Sequence, residues 1–135
     1  MMEAYNMSTT QTIERTTLTH LIHNEDYCRK VIPFIKPLYY ANRQERVVFE
    51  EIEKFLDKYN TLPTKETLTI GVDNRKDIND EDYKKVVDII SSLDKTEVDL
   101  QWLHDETEKF CKDKAIYNAV LDGISIIDGK DKNRT

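Results

Sequence analysis

VDLQWLHDETEKFCKDKAIYNAVLDGISIID, residues 98–128, runs for 31 residues without a proline or a loop cluster. As one helix at ~1.5 Å per residue it is ~46 Å long, against ~30 Å for a small domain, so part of it overhangs any globule it packs on. Its far half carries Ile116, Tyr117, Val120, Leu121, Ile124 and Ile127. That is too much contiguous apolar surface to leave in water without another helix to cover it. The charges follow the helix dipole, with Glu97, Asp99, Asp105, Glu106 and Glu108 ahead of Lys109, Lys112 and Lys114. Leu103, Thr107, Phe110, Lys114, Tyr117, Leu121 and Ile124 alternate steps of four and three, a heptad-like seam, and Ile116, Val120 and Ile127 form a second stripe. Two seams predict two neighbours. One is a helix of the same molecule, and the other is a second protein chain, with a helix at residues 12–23 as the intramolecular alternative.

Upstream of this stretch, Asn79 with Asp82 reads as a helix cap, and Tyr83, Val86, Val87, Ile90 and Leu93 recur at helical spacing. After a turn at 91–95, Thr96 is placed to cap the long helix. So short a turn predicts an antiparallel hairpin over residues 80–128. Further back, Asn42 with Glu45 has the form of a capping box, followed by Val48, Ile52, Phe55, Leu56 and Tyr59. That helix ends at Asn60, and Thr64 opens a short one to about Ile70, followed by a polar loop at 71–79. At the start of the chain, Ile13, Leu18, Leu21 and Ile22 lean to one side of a helix at 12–23. Asn24 then caps a second helix that stops before Pro33. Pro33 and Pro37 make residues 34–40 an irregular or 3-10 connector whose rings cover the core. No period-2 strand competes, so the expected fold is all-α: a small helical globule with a projecting antiparallel hairpin.

The 135 residues, 39% of them hydrophobic, suffice for one domain with a modest core. Residues 1–10 are polar and read as a disordered extension, 11–128 as the helical domain, and 129–135 as a polar tail at the start of a linker. A net charge of −6 opposes nonspecific attraction to phosphate backbones. Cys28 and Cys111 lie far apart on apolar-periodic faces and read as reduced thiols of a cytosolic protein. No stretch approaches the ~18 apolar residues of a membrane span, and no signal peptide opens the chain.

Chemistry is harder to find. His20 and His23 stand at i, i+3, but Cys28 is the one nearby candidate for a third metal ligand, so the pair reads as polar surface positions and no metal is assigned. Asp73, Asp77, Asn79 and Asp82 have the oxygen content of a calcium loop without its glycine or ligand spacing, and read as a solvated loop with a cap. Gly129-Lys130 lacks both the upstream glycine and the following Ser or Thr of a phosphate-cradling loop. His104 and Cys111 sit two turns apart, too far for a hydrogen-bonded nucleophile pair. Trp102 reads as a core anchor rather than a surface hot spot. The residues therefore name no catalytic group and no cofactor.

Trp102-Leu103-His104-Asp105-Glu106-Thr107-Glu108-Lys109-Phe110, continued by Lys114-Ala115-Ile116-Tyr117-Asn118-Ala119, resembles the long-hairpin region of the replicative helicases of T-even-type bacteriophages, in their N-terminal domain. Leu18-Thr19-His20-Leu21-Ile22, Tyr27, Lys30-Val31 and Pro33 are similar to the opening helices of that domain, and Tyr59-Asn60-Thr61-Leu62-Pro63-Thr64 to its central turn. The resemblance runs over about residues 17–128 and leaves the first sixteen residues unaccounted for. It implies the N-terminal collar of a DnaB-like hexameric helicase: a helical globule whose hairpins pair between subunits, support the ring and contact primase. ATP binding, unwinding and DNA contact would belong to a RecA-like motor absent from this stretch, so the chain reads as a fragment or truncated product that is not itself an enzyme. The implied interface residues are Phe110, Ile116, Tyr117, Val120, Leu121 and Ile124, and the implied location is the cytoplasm of an infected bacterium. The competing reading is a standalone phage adaptor that recruits replication proteins.

Overall fold

A computed structural model describes the backbone of residues 2–133 and the side chains of residues 13–124. Among these the chain forms α1 (Met2–His23), α2 (Glu25–Val31), α3 (Arg43–Tyr59), α4 (Lys65–Asp73), α5 (Asp80–Ser91) and α6 (Leu100–Asn133), with 3-10 turns at Ile32–Phe34 and Pro37–Tyr39. The described residues contain no strand, and the fold is all-α as expected.

Local side chains fix most helix starts. Asn24, Asn42 and Asn79 each accept from the backbone N–H three residues on, at 3.0, 3.0 and 2.8 Å, and Thr64 forms a reciprocal capping box with Thr67. Such caps contribute ~1 kcal/mol each. For α6 the cap is Asp99, whose carboxylate accepts from the Trp102 N–H at 2.9 Å, rather than Thr96. A carboxylate there also meets the positive end of the dipole. Asn60 closes α3 in the left-handed region (φ 53°), a conformation asparagine tolerates better than most residues. α4 continues past Ile70 to Asp73 and includes Gly71, where a Cβ would lie 2.4 Å from Glu51 Oε1.

Two helices are longer than the sequence predicts. α1 begins at Met2, so the backbone of residues 2–10 is helical where a disordered extension was expected, and neither glycine nor proline interrupts it. α6 extends to Asn133, beyond the start of the expected polar tail.

The core gathers Leu18, Leu21, Tyr27, Tyr40, Phe49, Ile52, Leu68, Ile90, Leu93 and Leu103, all fully buried. α5 packs on α3 and α4, whereas α6 packs on α1, α2 and the second 3-10 turn. The antiparallel hairpin expected over residues 80–128 is therefore not formed as a closely packed pair. The cause lies in the connector: residues 93–99 carry no helix and reach up to about 23 Å when extended, far more than a tight turn. His23 Nε2 meets the Leu93 carbonyl at 2.7 Å, and His20 Nε2 lies 3.4 Å from Thr96 Oγ1. These contacts lay the connector across the end of α1 and start α6 on the α1–α2 side.

Candidate protein interface

Three inward residues seat the first half of α6. Leu103, Thr107 and Phe110 are buried. Thr107 Oγ1 donates to the Leu103 carbonyl at 2.7 Å, which leaves it to accept from the Tyr27 hydroxyl, also at 2.7 Å. Burial pushes the Tyr27 phenol well above its ordinary pKa, so it stays a neutral donor. Phe110 stands edge-on to Tyr39, ring centres 6.3 Å apart, and 5.6 Å from the Tyr40 ring. One turn further, Lys114 Nζ lies 3.5 Å from Glu14 Oε1, and Asn118 donates to the Leu38 carbonyl at 3.1 Å.

Past Asn118 the helix leaves the globule. Residues 119–124 are all exposed, and a Cβ placed on Gly123 would meet nothing within 4 Å. Ile116, Tyr117, Val120, Leu121 and Ile124 are 65, 59, 57, 46 and 53% exposed, which is far from what such side chains show in a core. Five of the six expected interface residues thus share one free stretch of helix. Phe110 does not: it is enclosed by Tyr39 and Tyr40, because the inward seam still faces the globule at that turn. Ile127, expected on the second stripe, lies outside the described side chains.

Six further large apolar side chains are exposed among the described residues, Tyr59, Ile70 and Leu100 together with Phe34, Leu38 and Trp102. Phe34 and Leu38 are among the most exposed large hydrophobic residues, contrary to the expectation that this connector turns its rings inward; Tyr39 and Tyr40 do so. Leu38 touches α6 through the Asn118 bond, and Phe34 lines a groove of about 530 Å³ with Tyr39, Cys111 and Ala115. Pro33 and Pro37 open the two 3-10 turns that carry Phe34 and Leu38, and with three residues per turn successive side chains diverge too widely for all of them to face the core. Trp102, expected as a core anchor, is also exposed, since it lies one residue from Leu103 and so a quarter-turn off the inward face.

No local sequence signal marks the ionic cluster beneath the root of the overhang. Glu14 of α1 and Glu45 of α3 are 2% and 1% exposed. Glu45 does not complete a capping box; its side chain turns inward, where Arg15 Nε donates to Oε2 at 3.1 Å. Burial, then the neighbouring Glu45 carboxylate, push the Glu14 carboxyl up to about 7 against the smaller pull of Lys114.

The residues weighed for chemistry have structural partners. His20 and His23 hold the connector through their Nε2 atoms, and His104 packs on Tyr27 with ring centres 5.5 Å apart. Burial pushes the thiols of Cys28 and Cys111 up to about 11 each, which keeps them protonated and weakly nucleophilic near neutral pH. Asp77 and Asp82 are paired with Arg75 and Arg43 at 2.7 and 3.1 Å. Among the described residues no group of three or more His, Cys, Asp or Glu side chains is placed to hold a metal, and no helix is long and apolar enough to cross a membrane.

No protein-family model matches the chain. Over 109 residues, 81% of its length, the chain is 29% identical to the DnaB-like replicative helicase of Enterobacteria phage T4, and the match spans 23% of that protein's length.

Proposed function

We propose that the chain acts in phage DNA replication as a noncatalytic N-terminal domain of a hexameric replicative helicase, pairing with a neighbouring subunit through α6 from Ile116 onward. The observation that carries this reading is the run of five exposed apolar residues on a helix that has left its own globule. The likeness to the T4 helicase, limited to about a quarter of that protein, supports the replicative setting and the role of a part rather than of a motor. Ring support and primase contact follow as functions of the same domain, in the cytoplasm of the infected bacterium.

The energetics favour weak, concentration-dependent pairing. Full burial of one such side chain stabilises by ~1.5–3 kcal/mol, and about half of each is already covered. Two copies covering one another therefore gain on the order of 10 kcal/mol, against an association cost of ~4–15 kcal/mol. Sedimentation velocity over a wide concentration range tests this. The wild type is expected to rise above its 15.9 kDa monomer mass, while the Tyr117→Asp, Leu121→Asp double variant stays there because pairing would bury unpaired charge. Equal masses for both proteins at every concentration would count against the interface.

A further inference from the structure

Glu14 sits where three helices meet. Among the described residues its Oε1 has no hydrogen-bond partner, although the side chain is almost wholly buried. An orphaned buried carboxylate oxygen is costly, and it requires either a proton or a cation. Both lie within reach. Lys114 of α6 holds its Nζ at 3.5 Å, an ion-pair distance without a formed hydrogen bond, and the Glu45 carboxylate of α3 is near enough to raise the Glu14 pKa. The remaining groups facing this space are already engaged. Arg15 of α1 binds Glu45, and the Tyr40 hydroxyl, from the segment before α3, is 2.8 Å from Thr17 Oγ1. Lys114 in turn lies 5.9 Å from the centre of the Tyr117 ring, the first exposed residue of the inward seam.

We propose that Glu14 is a protonation switch at the root of α6: as a carboxylate it holds Lys114, and as the acid it gives its hydrogen bond to Glu45 and leaves Lys114 unpaired beside Tyr117. The change takes one proton from solvent and forms one O–H bond. With both carboxylates ionised, Arg15 and Lys114 balance them. With Glu14 neutral, one positive charge is left over, and it stands at the edge of the apolar stretch. A carboxyl held up to about 7 exchanges its proton near neutral pH. The regulatory consequence, tighter pairing at alkaline than at acid pH, rests on the reading of α6 as a pairing helix.

The switch is tested without reference to pairing by NMR titration of the Glu14 carboxyl carbon, the Lys114 side chain and the Tyr117 ring. All three resonances are expected to share a midpoint near neutrality. In Glu14→Gln, a near-isosteric change, the Lys114 and Tyr117 titrations disappear. In Lys114→Met the Glu14 midpoint moves up, because the cation paired with it is gone. A Glu14 midpoint in the ordinary carboxylate range of ~4.3, or an unchanged Tyr117 titration in Glu14→Gln, overturns the switch. Sedimentation at pH 6 and pH 8 tests the consequence. Equal pairing at both values overturns regulation of the interface. Absence of pairing at both overturns the interface itself, while the NMR titration still decides the switch.

Discussion

Glu14 and Thr107 are buried polar side chains whose partners, Lys114 and Tyr27, lie on other helices. The folded state raises the Glu14 pKa from 4.5 to about 7, so between those values the folded protein binds more protons than the unfolded chain. The stability of the fold therefore falls as pH rises through this window, and the full penalty is present above it. Glu14→Gln removes the penalty: we expect it to be more stable than wild type at pH 8, by on the order of 1–3 kcal/mol, and equal to it near pH 4. Urea unfolding at the two pH values measures this. Thr107→Val keeps shape but strands the buried Tyr27 hydroxyl, and the same method should show a loss of ~1–3 kcal/mol. At this scale the sequence was legible where interactions are local. Asn24, Asn42 and Asn79 were readable as caps because donor and acceptor are three residues apart. The inward turn of Glu45 was not readable, since its partner Arg15 is thirty residues away.

α6 shows which properties of an element its own residues determine. Its continuity through residue 128 and the order of its charges follow from residues 98–128, though not its end at Asn133, and its inward seam is realised through Leu103, Thr107, Phe110 and Lys114. Its neighbours do not follow. A connector that looks like a turn in composition is held open by His20 and His23, so α6 meets α1 and α2 rather than α5. The same periodic pattern has opposite meanings on either side of Lys114, because periodicity records that a face is apolar and not what covers it. This gives a contrast within one helix. Leu103→Ala should cost the folded monomer ~2–5 kcal/mol by opening a cavity, whereas Val120→Ala should change its stability by less than ~0.5 kcal/mol. Thermal denaturation of dilute samples, where pairing is suppressed, compares the two.

For the whole molecule, the all-α class and the overhanging helix could be read from periodicity and length, whereas the replicative setting came through family resemblance alone. Among the described residues no catalytic constellation marks the surface, and the proposed function lies in what the free helix meets, which a single sequence records only as exposed apolar surface. Phe34 and Leu38 extend that surface onto the globule, so a partner lying along α6 would meet both. A helix standing in water exchanges its amide hydrogens quickly, and one covered by a partner does so slowly. Hydrogen exchange of residues 115–124, followed by mass spectrometry from low to high protein concentration, reports that covering directly. We expect protection of this stretch to rise with concentration while that of α3 stays constant; protection unchanged across the range would contradict a pairing role for the free end of α6.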